Sequence, residues 1–203
     1  MESHPSPDAA DETRSCLLSR DEFEVTYAEW VDRAAASIAR FSAAEVESCP
    51  WALVGIKRRG AVLAQRLWKD LRAHRSLRLE GDLLYGEVDI SLYRDDFHLQ
   101  RSQTKVLGTE IDFAVDGIGI LLVDDVLYTG RTVRAAMDLI LDFGRPRVIQ
   151  LAVFVDRGHR ELPIMANVVG REIATERKDR VLVQLREMDE EDSVVLVKGA
   201  SNG

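Results

Sequence analysis

At 203 residues, with 46% hydrophobic and 31% charged side chains, the chain is long enough for one well-cored domain and short for two. No apolar run approaches the roughly 20 residues a membrane span needs, and Met1 to Glu12 lack the basic start and apolar centre of a secretory signal, so a soluble protein of the cytoplasm is expected. A net charge of −8 argues against whole-surface attraction to nucleic acid, while leaving room for a local basic patch.

In chain order, residues 1–17 are rich in Pro, Ser and acid and read as a disordered tail. A single domain is expected over 18–200. Cys16 and Cys49 lack metal-ligand spacing and read as free thiols. Ser19-Arg-Asp-Glu22 is a capping box, and Phe23, Tyr27, Trp30, Val31, Ala34, Ile38 and Phe41 then recur at three- and four-residue steps. The spacing predicts an amphipathic helix to about Ser42 whose aromatic stripe is a packing face. Trp51–Ile56 reads as a buried strand and Ala61–Ala73 as a helix. Between them Lys57-Arg-Arg-Gly60 is either a solvated basic turn or a seat for a highly charged anion. Leu83–Tyr85 and Val88–Tyr93 read as two strands, with Arg94-Asp-Asp96 ending the second. Residues 97–116 are polar and too long for an idle connection, which suggests a mobile hairpin or lid carrying Arg101 and Lys105.

The most informative stretch is Ile120 to Thr132. Ile120–Val123 is the continuous apolar run of a strand buried on both faces, and Asp124-Asp125 follow where such a strand ends, the edge at which open α/β sheets bind ligands. Tyr128-Thr-Gly-Arg-Thr132 then leads into a helix from Val133 to Phe143, closed by Gly144 and Pro146. The first N–H groups of that helix, with Thr129, Thr132 and the backbone around Gly130, suit a phosphate monoester. The acidic pair repels phosphate and suits hydroxyls or a ligand-borne metal. A phosphate with a vicinal diol a few ångströms away is a ribose 5-phosphate. Each motif by itself also has a plain reading, Asp-Asp as a turn and Thr-x-x-Thr as a cap; their order is what points to a site.

Arg147–Val155 reads as another buried strand, and Asp156-Arg-Gly-His-Arg160 falls at the same carboxyl edge as Asp124. His159 invites a general-base reading, against which a turn histidine after Gly is more often structural. Leu162–Ile164, Asn167–Gly170, Val181–Gln184 and Ser193–Val197 read as short strands finishing the sheet and a small hood. Arg157, Arg160, Arg171, Arg177, Lys178 and Arg180 gather in the carboxy-terminal third, either as solvated arginines or as a nucleic-acid patch.

Val123-Asp-Asp-Val-Leu-Tyr-Thr-Gly-Arg-Thr132, with Asp89-Ile-Ser-Leu-Tyr-Arg-Asp-Asp96, Gly144-Arg-Pro146 and Leu151-Ala-Val-Phe-Val-Asp-Arg-Gly-His-Arg-Glu-Leu-Pro163, resembles the PyrR family of type I phosphoribosyltransferases, over roughly Trp51 to Val197. The resemblance implies an α/β fold with a central, mostly parallel sheet flanked by helices, a small hood and a flexible loop. It implies transfer of the ribosyl phosphate of 5-phosphoribosyl 1-diphosphate (PRPP) to uracil, giving UMP, with Mg²⁺ carried by the substrate and no dedicated protein cage. By this resemblance PRPP is held by Arg58, Arg59, Arg94, Asp124, Asp125, Val126, Leu127, Tyr128, Thr129, Gly130, Arg131 and Thr132, with Asp124 and Asp125 catalytic. The base meets Asp156, Arg157, His159 and the main chain near Val181. Arg58-Arg59 stands where family members have Thr-Arg, which puts a hydroxyl contact in doubt. The family also implies UMP-dependent binding of leader mRNA and a homodimer or homotetramer. Two alternatives stay open: an RNA-binding regulator that uses the crevice only to sense UMP, and a transferase for another base.

Overall fold

The computed structural model describes residues 13–44, 49–75, 77, 81–91 and 108–199. The elements run β1 (Arg14–Leu18), α1 (Arg20–Ala44), β2 (Trp51–Ile56), α2 (Arg59–Ala73), β3 (Leu84–Val88), β4 (Gly119–Leu127), α3 (Arg131–Phe143), β5 (Val148–Asp156), β6 (Val168–Glu172), β7 (Arg180–Gln184), α4 (Arg186–Asp189) and β8 (Ser193–Val197). Among these residues the strands form a parallel sheet in the order β3-β2-β4-β5-β6 and a three-stranded antiparallel hood sheet in the order β1-β8-β7. The expected α/β architecture is borne out. From β2 the chain steps through α2 to β3 on one side; from β4 it steps through α3 to β5 on the other. The reversal lies between β2 and β4, so the loops at their carboxyl ends part and leave a crevice.

Strand β4 is central because both of its faces are apolar. Leu121 and Val123 pack on the face that carries α1 and α2 with Leu53, Ala152 and Phe154. Ile120 and Leu122 pack on the other with Ala52, Val54 and Val153 against Val133, Ala136, Leu139 and Ile140 of α3. Those four helical positions fall on one stripe, and the strand residues alternate, as the two periodicities require. The aromatic stripe of α1 is a packing face: Phe23 lies 4.4 Å and Trp30 5.6 Å, centroid to centroid, from Phe154. Phe41 meets the Trp51 ring edge-on. Ser37, on the same helix, donates at 2.9 Å to Gln150 Oε1, which is buried in β5. Arg33 reaches the carbonyls of Val169 and Gly170 at 2.8 and 3.1 Å, fastening α1 to β6.

Several boundaries differ from those expected. Residues 14–17, assigned to the tail, form most of β1, which pairs antiparallel with β8 and completes the hood sheet; the apolar Leu17 and Leu18 supply the packing that a tail lacks. Residues 1–12 lie outside the described residues. Of the two strands expected over 83–93, the described part, to residue 91, holds one, Leu84–Val88. Beyond it the Asp89 carboxylate accepts Ser91 N–H at 2.9 Å and the Thr109 hydroxyl accepts Asp89 N–H at 3.2 Å, so side chains replace ladder partners. Residues 92–107, with Arg94, Arg101 and Lys105, lie outside the described residues. The described end of the expected lid is tied down, since Glu110 exchanges both main-chain bonds with Glu87 at 2.8 and 2.9 Å. Leu162–Ile164 is a tight turn rather than a strand. Helices α2 and α3 each begin two residues earlier than predicted, at Arg59 and Arg131. The capping box is half formed: Ser19 N–H donates to Glu22 Oε2 at 2.8 Å. Cys16 is exposed and Cys49 buried, both free thiols. No described helix is long and apolar enough to cross a membrane.

Candidate functional site

The two members of the acidic pair, both within β4, have different surroundings. Asp124 shares its surroundings with residues of α3 across a cleft and also lies beside Gly60 of α2, its Oδ1 3.2 Å from where a Cβ on that glycine would stand. Asp124 is 5% exposed and lines a cleft of 640 Å³ with Val126–Ala135, Asp138, Glu161 and Leu162. Asp125, half-buried, is not among the residues lining it; the positive charge of Arg59, the first residue of α2, acts on it instead. Burial raises the Asp124 carboxyl well above the usual carboxylate range, and the Asp125 charge adds to the effect. Burial raises Asp125 too, opposed by hydrogen bonds from Asp124 and main-chain N–H groups and by Arg59. The pair therefore retains a proton more readily than isolated aspartates, with Asp124 the better-buried holder.

At the far end of the cleft Gly130 takes φ 91°, a left-handed conformation that permits the sharp entry into α3. A Cβ there would also press on Ile164 and Leu162 at 3.3–3.4 Å. Thr129 and Thr132 are half-buried in the cleft wall, and Thr129 Oγ1 accepts Arg131 N–H at 3.4 Å. Arg131 itself turns outward to Glu161, which also pairs with Arg177. Tyr128–Thr132 thus form one turn into α3, with Asp124 on the strand that feeds it.

The basic loop after β2 is more constrained than its sequence suggests. Lys57 Nζ sits 3.3 Å from Glu87 and 3.2 Å from Glu110, and Arg58 is exposed. Arg59 donates at 2.6 Å to Asp189 of the hood. Gly60 is needed for close approach: a Cβ would stand 2.7 Å from Val123 O and 3.0 Å from Asp124 Cα. The start of α2 is therefore pressed directly on the end of β4.

Strand β5 delivers the second loop to the same edge, Leu127 lying in register with Asp156. Its side chains face inward more than outward. Asp156 binds Arg160 and accepts Gly158 N–H at 2.9 Å. Arg157, 5% exposed, donates to the carbonyls of Asp179 and Glu176 and lies 4.1 Å over the Tyr128 ring; burial pulls its pKa down. His159 Nε2–H donates at 2.7 Å to Thr175 O, so the ring is anchored rather than free to shuttle protons. Val181 is buried on β7, an edge of the hood sheet. Sequence reasoning missed Asp189, Glu161, Leu162 and Ile164, which carry no local motif. It also offered Arg160 as a surface cation and Arg157 as either a surface cation or a base contact, whereas both guanidinium groups donate to internal carbonyls. Arg171, Arg177, Lys178 and Arg180 do lie exposed.

A family model, the phosphoribosyl transferase domain, matches residues 28–184. The chain is 53% identical over 150 residues to "Bifunctional protein PyrR" of Listeria monocytogenes serotype 4b, an alignment covering 72% of this chain and 79% of that one. It is 52% identical over 149 residues to the protein of the same name from Pelotomaculum thermopropionicum, covering 73% and 80%. Among solved structures, a hypoxanthine-guanine phosphoribosyltransferase of Bacillus anthracis superposes with TM-score 0.61 at 18% identity, over 91% of this chain and 99% of that one. That likeness speaks for the fold alone, and it agrees with a parallel sheet whose strand order reverses beside the cleft. With the strand, acidic pair and turn assembled as above, the chain belongs to the PyrR family of the phosphoribosyl transferases.

Proposed function

We propose that this protein transfers the 5-phosphoribosyl group of PRPP to N1 of uracil, releasing diphosphate and forming UMP, and that UMP in the same crevice governs binding to a leader mRNA. One observation carries the first part: a single cleft has a buried carboxylate, Asp124, at its floor and the left-handed Thr129–Gly130 turn opening α3 at its end. That spacing of acceptor and N–H donors fits the diol and monoester of one ribose 5-phosphate. Asp124 accepts from a ribose hydroxyl. Asp125 stands with Arg59 and Arg58 on the diphosphate side, where Arg94 joins them by family likeness. Uracil lies between the Asp156–His159 loop and β7, whose outer edge has no strand partner among the described residues and offers main-chain groups near Val181.

In the reaction the C1′–O bond breaks with its electron pair leaving on diphosphate, N1 bonds to C1′, and the N1 proton is given up. The ribose passes through an oxocarbenium-like state, which a carboxylate beside the ring stabilises and which excluded water protects. A magnesium ion carried by the diphosphate would neutralise the leaving group. Asp124 and Asp125, as hard oxygen donors, are the residues of the acidic pair that would suit such an ion.

The test is direct: turnover of PRPP with uracil, hypoxanthine and orotate in parallel. Turnover with uracil alone supports the reading, and preference for either other base overturns it. The regulatory part draws on the relatives' printed name, "bifunctional", and on the exposed Arg171, Arg177, Lys178 and Arg180. Salt-dependent gel shifts with leader RNA should appear with UMP present and weaken without it; flat results in both conditions remove RNA binding.

A further inference from the structure

Three consecutive carbonyls at the start of the phosphate turn are all engaged from behind by the Asp156–Ile164 loop. Leu127 O accepts Arg157 N–H at 3.1 Å, Tyr128 O accepts Arg160 Nη1 at 2.8 Å, and Thr129 O accepts Glu161 and Leu162 N–H at 3.0 and 3.1 Å. In a planar trans peptide the C=O of one residue and the N–H of the next point in opposite directions. Fixing the Tyr128 and Thr129 carbonyls therefore turns the N–H groups of Thr129 and Gly130 the other way. Neither N–H has an acceptor among the described residues.

Among the described residues, Arg160 is the only charged side chain that donates to these carbonyls. Its guanidinium also donates to Gly158 O at 3.1 Å and Ile164 O at 3.0 Å, and it is braced by the Asp156 carboxylate. One rigid fork thus binds the end of β4, the loop after β5 and the turn at Ile164. An ammonium group has neither the planarity nor the number of donors to do the same.

We infer that Arg160 is the positioning residue of the 5′-phosphate cradle, aiming the Thr129 N–H at a phosphate monoester by holding the Tyr128 carbonyl away from it. The inference rests on the phosphoribosyl reading above and assigns Arg160 to ligand geometry in place of an RNA-facing surface. The experiment titrates ribose 5-phosphate and magnesium pyrophosphate separately into the parent, Arg160→Lys and Arg160→Gln by calorimetry. Amide resonances of Thr129 and Gly130 are followed alongside. The expected result is a loss of about tenfold or more in ribose 5-phosphate affinity in both variants, the scale of a lost bond to a charged group, with pyrophosphate affinity unchanged. The two amides should shift on adding ribose 5-phosphate to the parent and respond less in Arg160→Lys. Equal weakening of both probes, or none, overturns the inference, as do unshifted Thr129 and Gly130 amides in the saturated parent, a result that needs no substitution. A parent that binds neither probe removes the phosphoribosyl reading and this inference with it.

Discussion

Replacing Gly60 by alanine tests whether the start of α2 is seated against the strand that carries the acidic pair. The new Cβ would lie 2.7 Å from Val123 O, 3.0 Å from Asp124 Cα and 3.2 Å from Asp124 Oδ1. The first of these is about 0.7 Å short of ordinary contact, and the atoms it meets are mainly backbone, so the helix start must move by a comparable amount. Overpacking of this kind costs about 1–3 kcal/mol, partly offset by the gain of about 1 kcal/mol for Ala over Gly within a helix. Net destabilisation should therefore be about 0–2 kcal/mol, and for a chain of this length each kcal/mol lowers Tm by about 2–4 °C. Function should suffer more, since the displaced residues are Arg59 and Asp124: kcat/KM for PRPP should fall about ten- to a hundredfold. Steady-state kinetics with PRPP varied, beside thermal denaturation, reads both. Gly117→Ala is the control. It meets nothing within 4 Å but carries φ 74°, so it should lose about 1–3 kcal/mol from backbone strain with kinetics unchanged. Parent-like kcat/KM in Gly60→Ala at parent-like Tm would refute the reasoning.

Asp124→Asn should stabilise the fold increasingly as pH rises. A carboxyl whose folded pKa is raised contributes stability fully present below its unfolded value and lost as pH rises through the folded one. Denaturant midpoints at acid, neutral and alkaline pH check this, and a gap from the parent that does not vary with pH would count against it. Asp192 should behave oppositely. Burial would raise it, but the Arg66 guanidinium, the Arg186 N–H and both arginine charges together hold it low. Its contribution is then present above the unfolded value and lost as pH falls through the folded one. Asp192→Asn should therefore be less stable than the parent at neutral pH, with the deficit closing in acid; a deficit that persists there would contradict the assignment. Ser37→Ala should cost about 1–3 kcal/mol by stranding the buried Gln150 amide oxygen and leave turnover intact. An unchanged Tm would show that Gln150 finds another partner.

The sequence by itself determined what depends on local order. Ile120–Val123 could only be a strand buried on both faces, although that strand runs on through the two carboxylates to Leu127; Gly130 and the threonines had to open a helix. These follow because a buried strand and a helix start impose their requirements on adjacent residues. The stripe of α1 was legible for the same reason, through its period. What the tertiary structure decided involves residues far apart in the chain. Asp124 and Asp125 look equivalent in sequence, yet only the assembled structure shows that Asp124 lines the cleft while Asp125 does not. Arg160 reads as a surface cation until the end of β4 brings two carbonyls within its reach. Arg59 reads as a free anion-binding group until Asp189, 130 residues away, closes on it. The amino-terminal strand β1 has its partner near the opposite end of the chain, in β8. A hydrogen-bond donor's role is fixed by where its acceptors are, and for these side chains the acceptors come from other segments, which folding alone brings to them.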